Sequence, residues 1–269
     1  MRLNRTHTVD AGFKDGQGNF RPSLLATSRI FASKAICERI CLSEYYSHKL
    51  SAMRLKQVYE IAPVRVRQYL DAEMNHVLGK IRPGNVVIEL GCGYGRILPK
   101  LAEKAGWVVG IDTSAPSLEL APQILRGVSN CAISRMDATK LGFRDRSCDC
   151  MVCIQNGISA FHVDQRALIN ESVRVTKPGG IILFSSYSSK FWKPRLEWFE
   201  LQSEAGLLGK IDYDKTTDGV IVCRDGFTAT TVDANDFRAL TADLNAEVRM
   251  AEVDESSLFC EISPRDKPA

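Results

Sequence analysis

The sequence predicts an α/β fold, in which helices cover both faces of a mostly parallel β-sheet and an antiparallel hairpin ends the sheet. Two observations predict this fold. Runs rich in β-branched and apolar residues alternate with amphipathic helical stretches between residues 86 and 185, and such units form parallel sheets buried on both faces. Two further strand runs, 247–253 and 258–263, are separated only by residues 254–257, which is typical of an antiparallel hairpin.

The elements can be placed along the chain in order. Residues 1–30 lack clear periodicity, and a helical stretch is predicted at 24–40. One long helix is predicted at 55–81, because apolar residues such as Val66, Leu70 and Val77 recur at helical spacing before Arg82-Pro83-Gly84 ends it. Strands are then predicted at Val86–Leu90, 107–111, 131–136, 150–154 and 181–185, and helices at 97–104, 115–125, Gln165–Val175 and 236–244.

Composition limits the possible functions. The chain has 269 residues, 45% of them hydrophobic, and a formal net charge of +3 with both signs interspersed, which does not favour a nucleic-acid surface. Nine cysteines in a chain of this size are expected to be reduced thiols rather than a disulfide framework. No apolar run of membrane-spanning length occurs, so we expect a cytoplasmic protein without a membrane partner.

A glycine-rich turn follows the first strand of the predicted sheet. Residues 86–96 read V-V-I-E-L-G-C-G-Y-G-R, with glycines at every second position of the turn. Glycine permits a tight turn and a close approach of the backbone to a ligand at the start of the next helix. Alone, this pattern also occurs in ordinary turns.

Acidic residues mark the ends of three successive predicted strands. Glu89, Asp112 and Asp137 occupy these positions, where strand ends of a parallel sheet bind nucleotide-like ligands. Asp112 is placed to accept hydrogen bonds from ribose hydroxyls, although it could instead cap the following helix. Asp137 is placed to accept from an adenine amine, although it could be a turn residue.

Together the motifs resemble those of class I S-adenosylmethionine-dependent methyltransferases over about residues 55–264. They are Glu89-Leu90-Gly91-Cys92-Gly93-Tyr94-Gly95, Gly110-Ile111-Asp112-Thr113-Ser114, Met136-Asp137-Ala138, Cys148-Asp149 and Lys177-Pro178-Gly179-Gly180. The resemblance implies a seven-stranded sheet with its last strand antiparallel, S-adenosylmethionine as cofactor and S-adenosylhomocysteine as product. A nicotinamide dehydrogenase is the rival, but its usual glycine spacing is G-x-G-x-x-G.

The resemblance also implies roles for individual residues. The predicted cofactor-binding residues are Glu89, Gly91, Cys92, Gly93, Gly95, Asp112, Thr113, Asp137, Ala138 and Gln155. Asn156, beside Gln155, matches a position that closes over the reactive sulfonium and is a predicted catalytic residue. No metal is expected.

Methyl transfer depends chiefly on alignment of the acceptor with the bond that breaks. Where the acceptor must lose a proton, His162 is the predicted general base, because imidazole titrates near neutral pH. The alternative is that His162 only caps or lines the helix that follows the fourth strand.

The acceptor site is predicted from segments outside the regular alternation. We predict an N-terminal arm and cap at 1–50 and a methyltransferase domain at 51–269, with a lid-like insertion at about 187–235 and a hairpin within 220–231. Aromatic residues there suit an apolar or planar small molecule, or they pack the insertion onto the sheet. The predicted acceptor-binding residues are Tyr45, Tyr46, Tyr187 and Trp192, and Tyr59 is a further candidate.

Other functions compete with small-molecule methyl transfer. Cys148, Cys150 and Cys153 suggest a thiophilic metalloid acceptor, although on a regular strand Cys148 and Cys150 face one way and Cys153 the other. A protein or nucleic-acid acceptor is the second alternative. The third is a protein that binds S-adenosylmethionine without catalysis. The sequence does not predict an oligomeric state.

Overall fold

The computed structural model describes residues 12–14, 20–22, 45 and 49–266. Contacts divide the chain into two units, residues 1–41 and 42–269, whereas the predicted boundary follows residue 50. In the first unit, β1 (Gly12–Lys14) pairs antiparallel with β2 (Phe20–Pro22). The helix predicted at 24–40 lies outside the described residues, as does Tyr46.

The second unit begins its regular structure with two helices rather than one. Helix α1 (Ala52–Glu60) and helix α2 (Val64–Lys80) are separated by Ile61, Ala62 and Pro63. Proline lacks a backbone N–H and disfavours helical geometry in the residue before it. The helix therefore breaks before Pro63, although the helical spacing of apolar residues continues across the break. The prediction of one helix at 55–81 is therefore wrong.

A seven-stranded sheet forms the centre of this unit, in the order β10-β11-β7-β6-β3-β4-β5. Its strands are β3 (Val86–Leu90), β4 (Trp107–Asp112), β5 (Cys131–Arg135), β6 (Cys148–Cys153), β7 (Thr176–Tyr187), β10 (Ala246–Val253) and β11 (Ser257–Pro264). Strands β3 to β7 pair in parallel, and β11 lies antiparallel to both β7 and β10. The predicted fold class is confirmed.

Helices cover both faces of the sheet, because alternate residues of each strand point to opposite sides. On one face, Ile88 and Met151 pack with Leu168 and Phe237 of the later helices, and on the other face Val87 packs with residues of α2 and the helix after β3. The helices after α2 are α3 (Leu98–Ala102), α4 (Ala115–Ile124), α5 (Gly157–Ala160), α6 (Gln165–Val175), α7 (Trp192–Glu204) and α8 (Ala234–Thr241).

The Lys177-Pro178-Gly179-Gly180 motif forms a bulge in β7. Pairing with β6 jumps from Cys148–Thr176 to Cys150–Ile181, so residues 177–180 loop outward. Lys177 Nζ lies 2.7 Å from Asp149 Oδ1 and anchors the bulge, and a Cβ at Gly180 would lie 2.7 Å from the Asp149 carbonyl oxygen. The motif therefore needs glycine where the backbones meet.

The same irregularity changes the orientation of the cysteines on β6. Cys148 and Cys153 belong to the cluster on one face of the sheet, whereas Cys150 belongs to the cluster on the other. The prediction that Cys148 and Cys150 face the same way is wrong, because the register shift falls between them. No three of these thiols converge on one face.

The segment between β7 and α8 packs against the region before the sheet. It contains α7 and an antiparallel hairpin of β8 (Ile221–Val222) and β9 (Thr228–Ala229), which confirms the predicted hairpin. The Tyr45 hydroxyl donates to Asp225 Oδ2 at 2.9 Å, and its ring lies 4.8 Å from that of Phe227. Trp198 Nε1 of α7 donates to the Val58 carbonyl oxygen of α1 at 3.0 Å, so these two helices form one wall.

Candidate active site

A cavity of about 530 Å³ lies at the carboxyl ends of the parallel strands. Its size is within the range of small-molecule sites, and its position is the one at which open α/β sheets bind ligands. On the sheet side it is lined by Glu89, Leu90, Gly91, Gly93, residues 111–117, residues 135–138, Ile154, Gln155, Gly157, Ala160, Phe161 and Val163. On the helical side it is lined by Leu50, Leu55, Val58, Tyr59, Tyr187, Trp198, Phe199 and Gln202.

The glycine turn brings backbone to the floor of this cavity. Gly91, Gly93 and Gly95 all have positive φ, at +74°, +53° and +82°, where other residues are strained. A Cβ on Gly91 would lie 2.5 Å from the ring of Phe161. Gly91 and Gly93 line the cavity, whereas Gly95 is not among the lining residues and helps to shape the turn; its predicted contact with a ligand remains a prediction.

Asp112 ties the glycine turn to the next helix. Its Oδ2 accepts from the Gly93 N–H at 2.8 Å, and its Oδ1 accepts from the Ser114 N–H at 2.7 Å. The N-cap of α4 is Ser114 rather than Asp112. Burial raises the pKa of Asp112, while the N–H donors oppose that rise. Each carboxylate oxygen keeps a lone pair, and the side chain lines the cavity.

Glu89 is the least compensated acid of the site. Its side chain is 7% exposed, and within the described part of the chain its Oε2 has no hydrogen-bond partner. Burial raises the pKa of Glu89 to about 8, Asp112 adds to that rise, and Arg96 opposes it. A buried carboxylate without a partner is costly, so this atom suits a cationic or hydrogen-bond-donating ligand group. Glu89 also lines a small adjoining cavity of about 40 Å³ together with Cys92 and Arg96.

The third strand end is the most open part of the site. Thr113 and Asp137 are exposed, Ala138 is buried, and all three line the cavity. Asp137 Oδ1 accepts from both the N–H and the hydroxyl of Thr139 at 2.8 Å, which is the geometry of an aspartate turn. A turn role and a ligand role are therefore compatible at Asp137.

Gln155 and Asn156, after β6, both adopt left-handed backbone conformations, with φ of +57° and +62°. Gln155 lines the cavity, and its Oε1 accepts from the Tyr59 hydroxyl at 2.8 Å. Asn156 is buried behind the cavity, where its Nδ2 donates to the Thr230 carbonyl oxygen at 2.8 Å and its Oδ1 accepts from Ser186 Oγ at 2.9 Å. In the structure the amide of Asn156 joins β7 to the segment after β9, and its catalytic role remains a prediction.

Glu73 of α2 holds the backbone of Gln155 through a hydrogen bond. It was not among the predicted site residues. It is fully buried, and its Oε2 accepts from the Gln155 N–H at 3.1 Å while its Oε1 accepts from Ser257 Oγ. Burial raises the pKa of Glu73 from 4.5 to about 7, although these donors oppose the rise. The sequence signal was an acid on the apolar stripe of α2, beside Leu70 and Met74.

Glu73 is expected to make folding stability depend on pH. Its pKa is higher in the folded protein, so its contribution is complete below pH 4.5 and is lost as pH rises through about 7. The shift corresponds to roughly 3 kcal/mol. Denaturant titrations from pH 4.5 to 8 should show a shallower fall in unfolding free energy for Glu73→Gln than for the wild type. The matched control is Asp71→Asn, an exposed acid on the same helix, and an equal slope in all three proteins would contradict the assignment.

The other predicted acceptor and base residues divide between the cavity and the core. Tyr187 lines the cavity. Tyr45 is buried against Phe227, and Trp192 packs beside Arg195, so both lie outside the lining residues. His162 also lies outside the lining, at a φ of +52°, and burial lowers its pKa. The predicted ligand contacts of Tyr45, Trp192 and His162 remain predictions.

The helical side of the cavity carries four aromatic rings, which we call the aromatic wall: Tyr59, Tyr187, Trp198 and Phe199. Gln202, one turn after Trp198, adds a buried amide to it. Gln202 was missed because a glutamine in a helix with no clear apolar stripe gives no sequence signal.

The described residues form neither a metal-binding group nor a membrane-spanning helix. Among those that the structure describes, no group of three histidine, cysteine or acidic side chains converges to hold a metal ion. None of the described helices has the length and apolar character needed to cross a bilayer.

Comparison with known proteins agrees with the fold. Residues 87–180 match the family described as "Methyltransferase domain". The chain is 36% identical over 109 residues to a demethylmenaquinone methyltransferase of Mycobacterium sp. (strain JLS), covering 40% of this chain and 44% of that protein. It is 32% identical over 113 residues to a malonyl-[acyl-carrier protein] O-methyltransferase of Marinomonas sp. (strain MWYL1), covering 40% of each.

The chain thus spans about two fifths of the length of these curated relatives. In structure it is similar to a SAM-dependent methyltransferase from Methanosarcina mazei, with a TM-score of 0.53 and 20% identity over 70% of this chain and 96% of that one. The identity is low, so this likeness shows the fold. Residues 87–180 are thus similar to a methyltransferase domain, and the seven-stranded sheet has the fold of the Methanosarcina mazei protein.

Proposed function

We propose that the protein transfers a methyl group from S-adenosylmethionine to a small-molecule acceptor held between the strand ends and the aromatic wall. The observation that carries the proposal is the enclosed cavity in which Glu89, Asp112 and Asp137 meet. The name of one relative, a demethylmenaquinone methyltransferase, supports an acceptor of small size.

The strand-end residues fit the cofactor. The unpartnered Oε2 of Glu89 suits the cofactor's ammonium group, and the backbone of Gly91 and Gly93 leaves room for its methionine part. The free lone pairs of Asp112 suit two ribose hydroxyls. Asp137, with Thr113 and Ala138 beside it, suits the adenine ring and its amine.

The bound cofactor supplies a methyl group that is already activated by its positive sulfonium. The chain's own contribution is position and exclusion of water, which account for much of the acceleration in such a displacement. Gln155, fixed by Tyr59 and Glu73, borders the space between the cofactor end and the aromatic wall. No histidine, lysine or cysteine is among the described residues that line the main cavity, so an acceptor that needs no strong protein base fits best.

The alternatives draw less support from the site. The thiols of β6 are buried and point to opposite faces of the sheet. Burial raises the pKa of the Cys150 thiol to about 12, so this thiol does not readily form the thiolate that binds a metalloid. The cavity is also enclosed by α1 and α7, which favours a small acceptor over a folded macromolecule. A binding protein without catalysis would share every feature of the cofactor end, so turnover is the measurement that separates it.

The test is a search for the product in a metabolite extract. Protein and methyl-labelled S-adenosylmethionine are added to the extract, and mass spectrometry records which small molecules gain the label. We expect at least one labelled small molecule and formation of S-adenosylhomocysteine, both reduced in Asp112→Ala when the cofactor is limiting. Label found in protein or nucleic acid alone would contradict the proposed acceptor class, and saturable cofactor binding without label transfer would favour the non-catalytic alternative.

Replacement of His162 tests whether an imidazole takes part. His162→Asn keeps a residue that tolerates the left-handed backbone found there. Because His162 lies outside the cavity lining, we expect turnover close to that of the wild type. Loss of a general base costs roughly 10²–10⁴-fold. A loss of that size at unchanged cofactor affinity, measured under saturating conditions, would restore His162 as the base.

A further inference from the structure

We propose that the aromatic wall selects an uncharged aromatic acceptor whose polar substituent hydrogen-bonds to the side-chain amide of Gln202. The inference deepens the proposed function and rests on it, because it assigns the acceptor to the end of the cavity that the cofactor leaves free. Three features carry it: an unused amide, the engaged polar atoms of Tyr59 and Trp198, and the placement of charge around the wall.

The amide of Gln202 is held in the cavity without a partner. The residue is 3% exposed and lines the cavity, yet its side-chain oxygen and nitrogen make no hydrogen bond to the described residues. Neither atom is sealed from the cavity, since Gln202 is absent from the fully enclosed atoms that lack a partner. A buried amide is satisfied only by a hydrogen bond, so this one suits a ligand with a donor or an acceptor group.

Two rings of the wall have their polar atoms engaged by other residues of the protein. The Tyr59 hydroxyl donates to Gln155 Oε1 at 2.8 Å, and Trp198 Nε1 donates to the Val58 carbonyl oxygen at 3.0 Å. The centroids of these two rings lie 6.0 Å apart. With their polar atoms used, Tyr59 and Trp198 offer ring surface, which favours a flat apolar body in the acceptor.

A buried cation behind the wall opposes a cationic acceptor. Arg195 is 1% exposed, and its guanidinium carbon lies 4.6 Å from the centroid of Tyr187 and 5.6 Å from that of Phe199. It donates to the carbonyl oxygens of Gly219 and Ala229 at 3.1 and 3.0 Å. Rings that already face one cation attract a second cation less strongly.

Acids at the other end of the cavity oppose an anionic acceptor. Glu89, Asp112 and Asp137 line the sheet side, and no charged side chain belongs to the described residues of the helical side. Arg135 is the only cationic side chain among the described residues that line the cavity, and it is exposed on the sheet side. An anion at the wall would therefore share the cavity with three carboxylates and find no cationic partner on the helical side. An uncharged aromatic molecule with one hydrogen-bonding substituent is the class that fits both ends.

The experiment measures binding of four matched probes: naphthol, naphthalene, naphthoate and naphthylmethylammonium. Affinities are determined by ligand-observed NMR with S-adenosylhomocysteine at saturation, so that no methyl transfer is needed. For the wild type we expect naphthol to bind most tightly. For Gln202→Met, which keeps the length and removes the amide, we expect naphthol affinity to fall by roughly three- to tenfold while naphthalene affinity is unchanged. Gln57→Leu, an exposed glutamine of α1, is the matched control.

A second variant covers the case in which Gln202→Met does not fold. Gln202→Asn keeps the amide on a side chain that is shorter by one methylene, so the amide no longer reaches the ligand. We expect this variant also to lose the preference for naphthol over naphthalene. An unchanged naphthol-to-naphthalene ratio in a folded variant, or tightest binding of either charged probe to the wild type, would overturn the inference. Calorimetry with S-adenosylhomocysteine distinguishes failure of the proposed function from failure of the acceptor assignment. Absence of binding to the wild type refutes the proposed function. Normal binding with an unchanged naphthol-to-naphthalene ratio in the variants refutes only the assignment of the acceptor class.

Discussion

Replacement of Asp112 by alanine is expected to weaken binding of S-adenosylmethionine by roughly 1–3 kcal/mol, or about 5- to 150-fold, with little change in acceptor binding. The substitution removes the acceptors proposed for the ribose hydroxyls. It also frees the N–H groups of Gly93 and Ser114, which hold the glycine turn against α4. Both effects lower cofactor affinity, and isothermal titration calorimetry measures their sum.

Two further variants separate these effects. Asp112→Asn keeps the shape and one acceptor oxygen but loses the charge, so its affinity should lie between those of the wild type and Asp112→Ala. Asp243→Ala removes an exposed aspartate after α8 and serves as the matched control, with affinity expected to equal that of the wild type. Equal cofactor affinity in Asp112→Ala and the control would remove Asp112 from the site.

Cofactor affinity is expected to rise with pH in the wild type, because of Glu89. Burial raises the pKa of Glu89 to about 8, so the free site is protonated at neutral pH. A bound ammonium group favours the carboxylate, and binding therefore releases a proton below pH 8. By linkage the affinity should increase by up to about tenfold per pH unit from pH 6 to pH 8 and then level off.

Glu89→Gln is expected to remove this pH dependence and to lower the affinity at pH 8. Calorimetry of S-adenosylhomocysteine, which keeps the ammonium group, at four pH values measures the effect, and buffers of different ionisation enthalpy report the released proton directly. Glu103→Gln, an exposed acid after α3, is the control and should follow the wild type. A flat profile in the wild type would contradict the pairing of Glu89 with the ammonium group.

The sheet was predictable because its signals are local and agree with one another. Alternating strands and helices specify a parallel sheet, and the short connection after β10 specifies an antiparallel pair. The break between α1 and α2 was missed, although Pro63 marks it, because the apolar spacing continues across the proline. The bulge in β7 was also missed, since its cause is a tertiary contact between Lys177 and Asp149.

The site was predictable at the strand ends and not at the helical side. Glu89, Asp112 and Asp137 carry a signal because their position relative to a strand fixes where they lie. The helical side is assembled from α1, α7 and the end of β7, and sequence spacing does not tell which of their residues face inward. Gln202 therefore went unnoticed, whereas Tyr45 and Trp192 were predicted to contact the acceptor but lie outside the cavity lining.

The most direct test of the central claim is calorimetric titration of the folded wild-type protein with S-adenosylhomocysteine. The claim is that the glycine turn and the acids at three strand ends form one cofactor site. We expect saturable binding with one ligand per chain, weakened in Asp112→Ala and left intact in Asp243→Ala. Absence of saturable binding to the folded wild type, by either S-adenosylhomocysteine or S-adenosylmethionine, would contradict it.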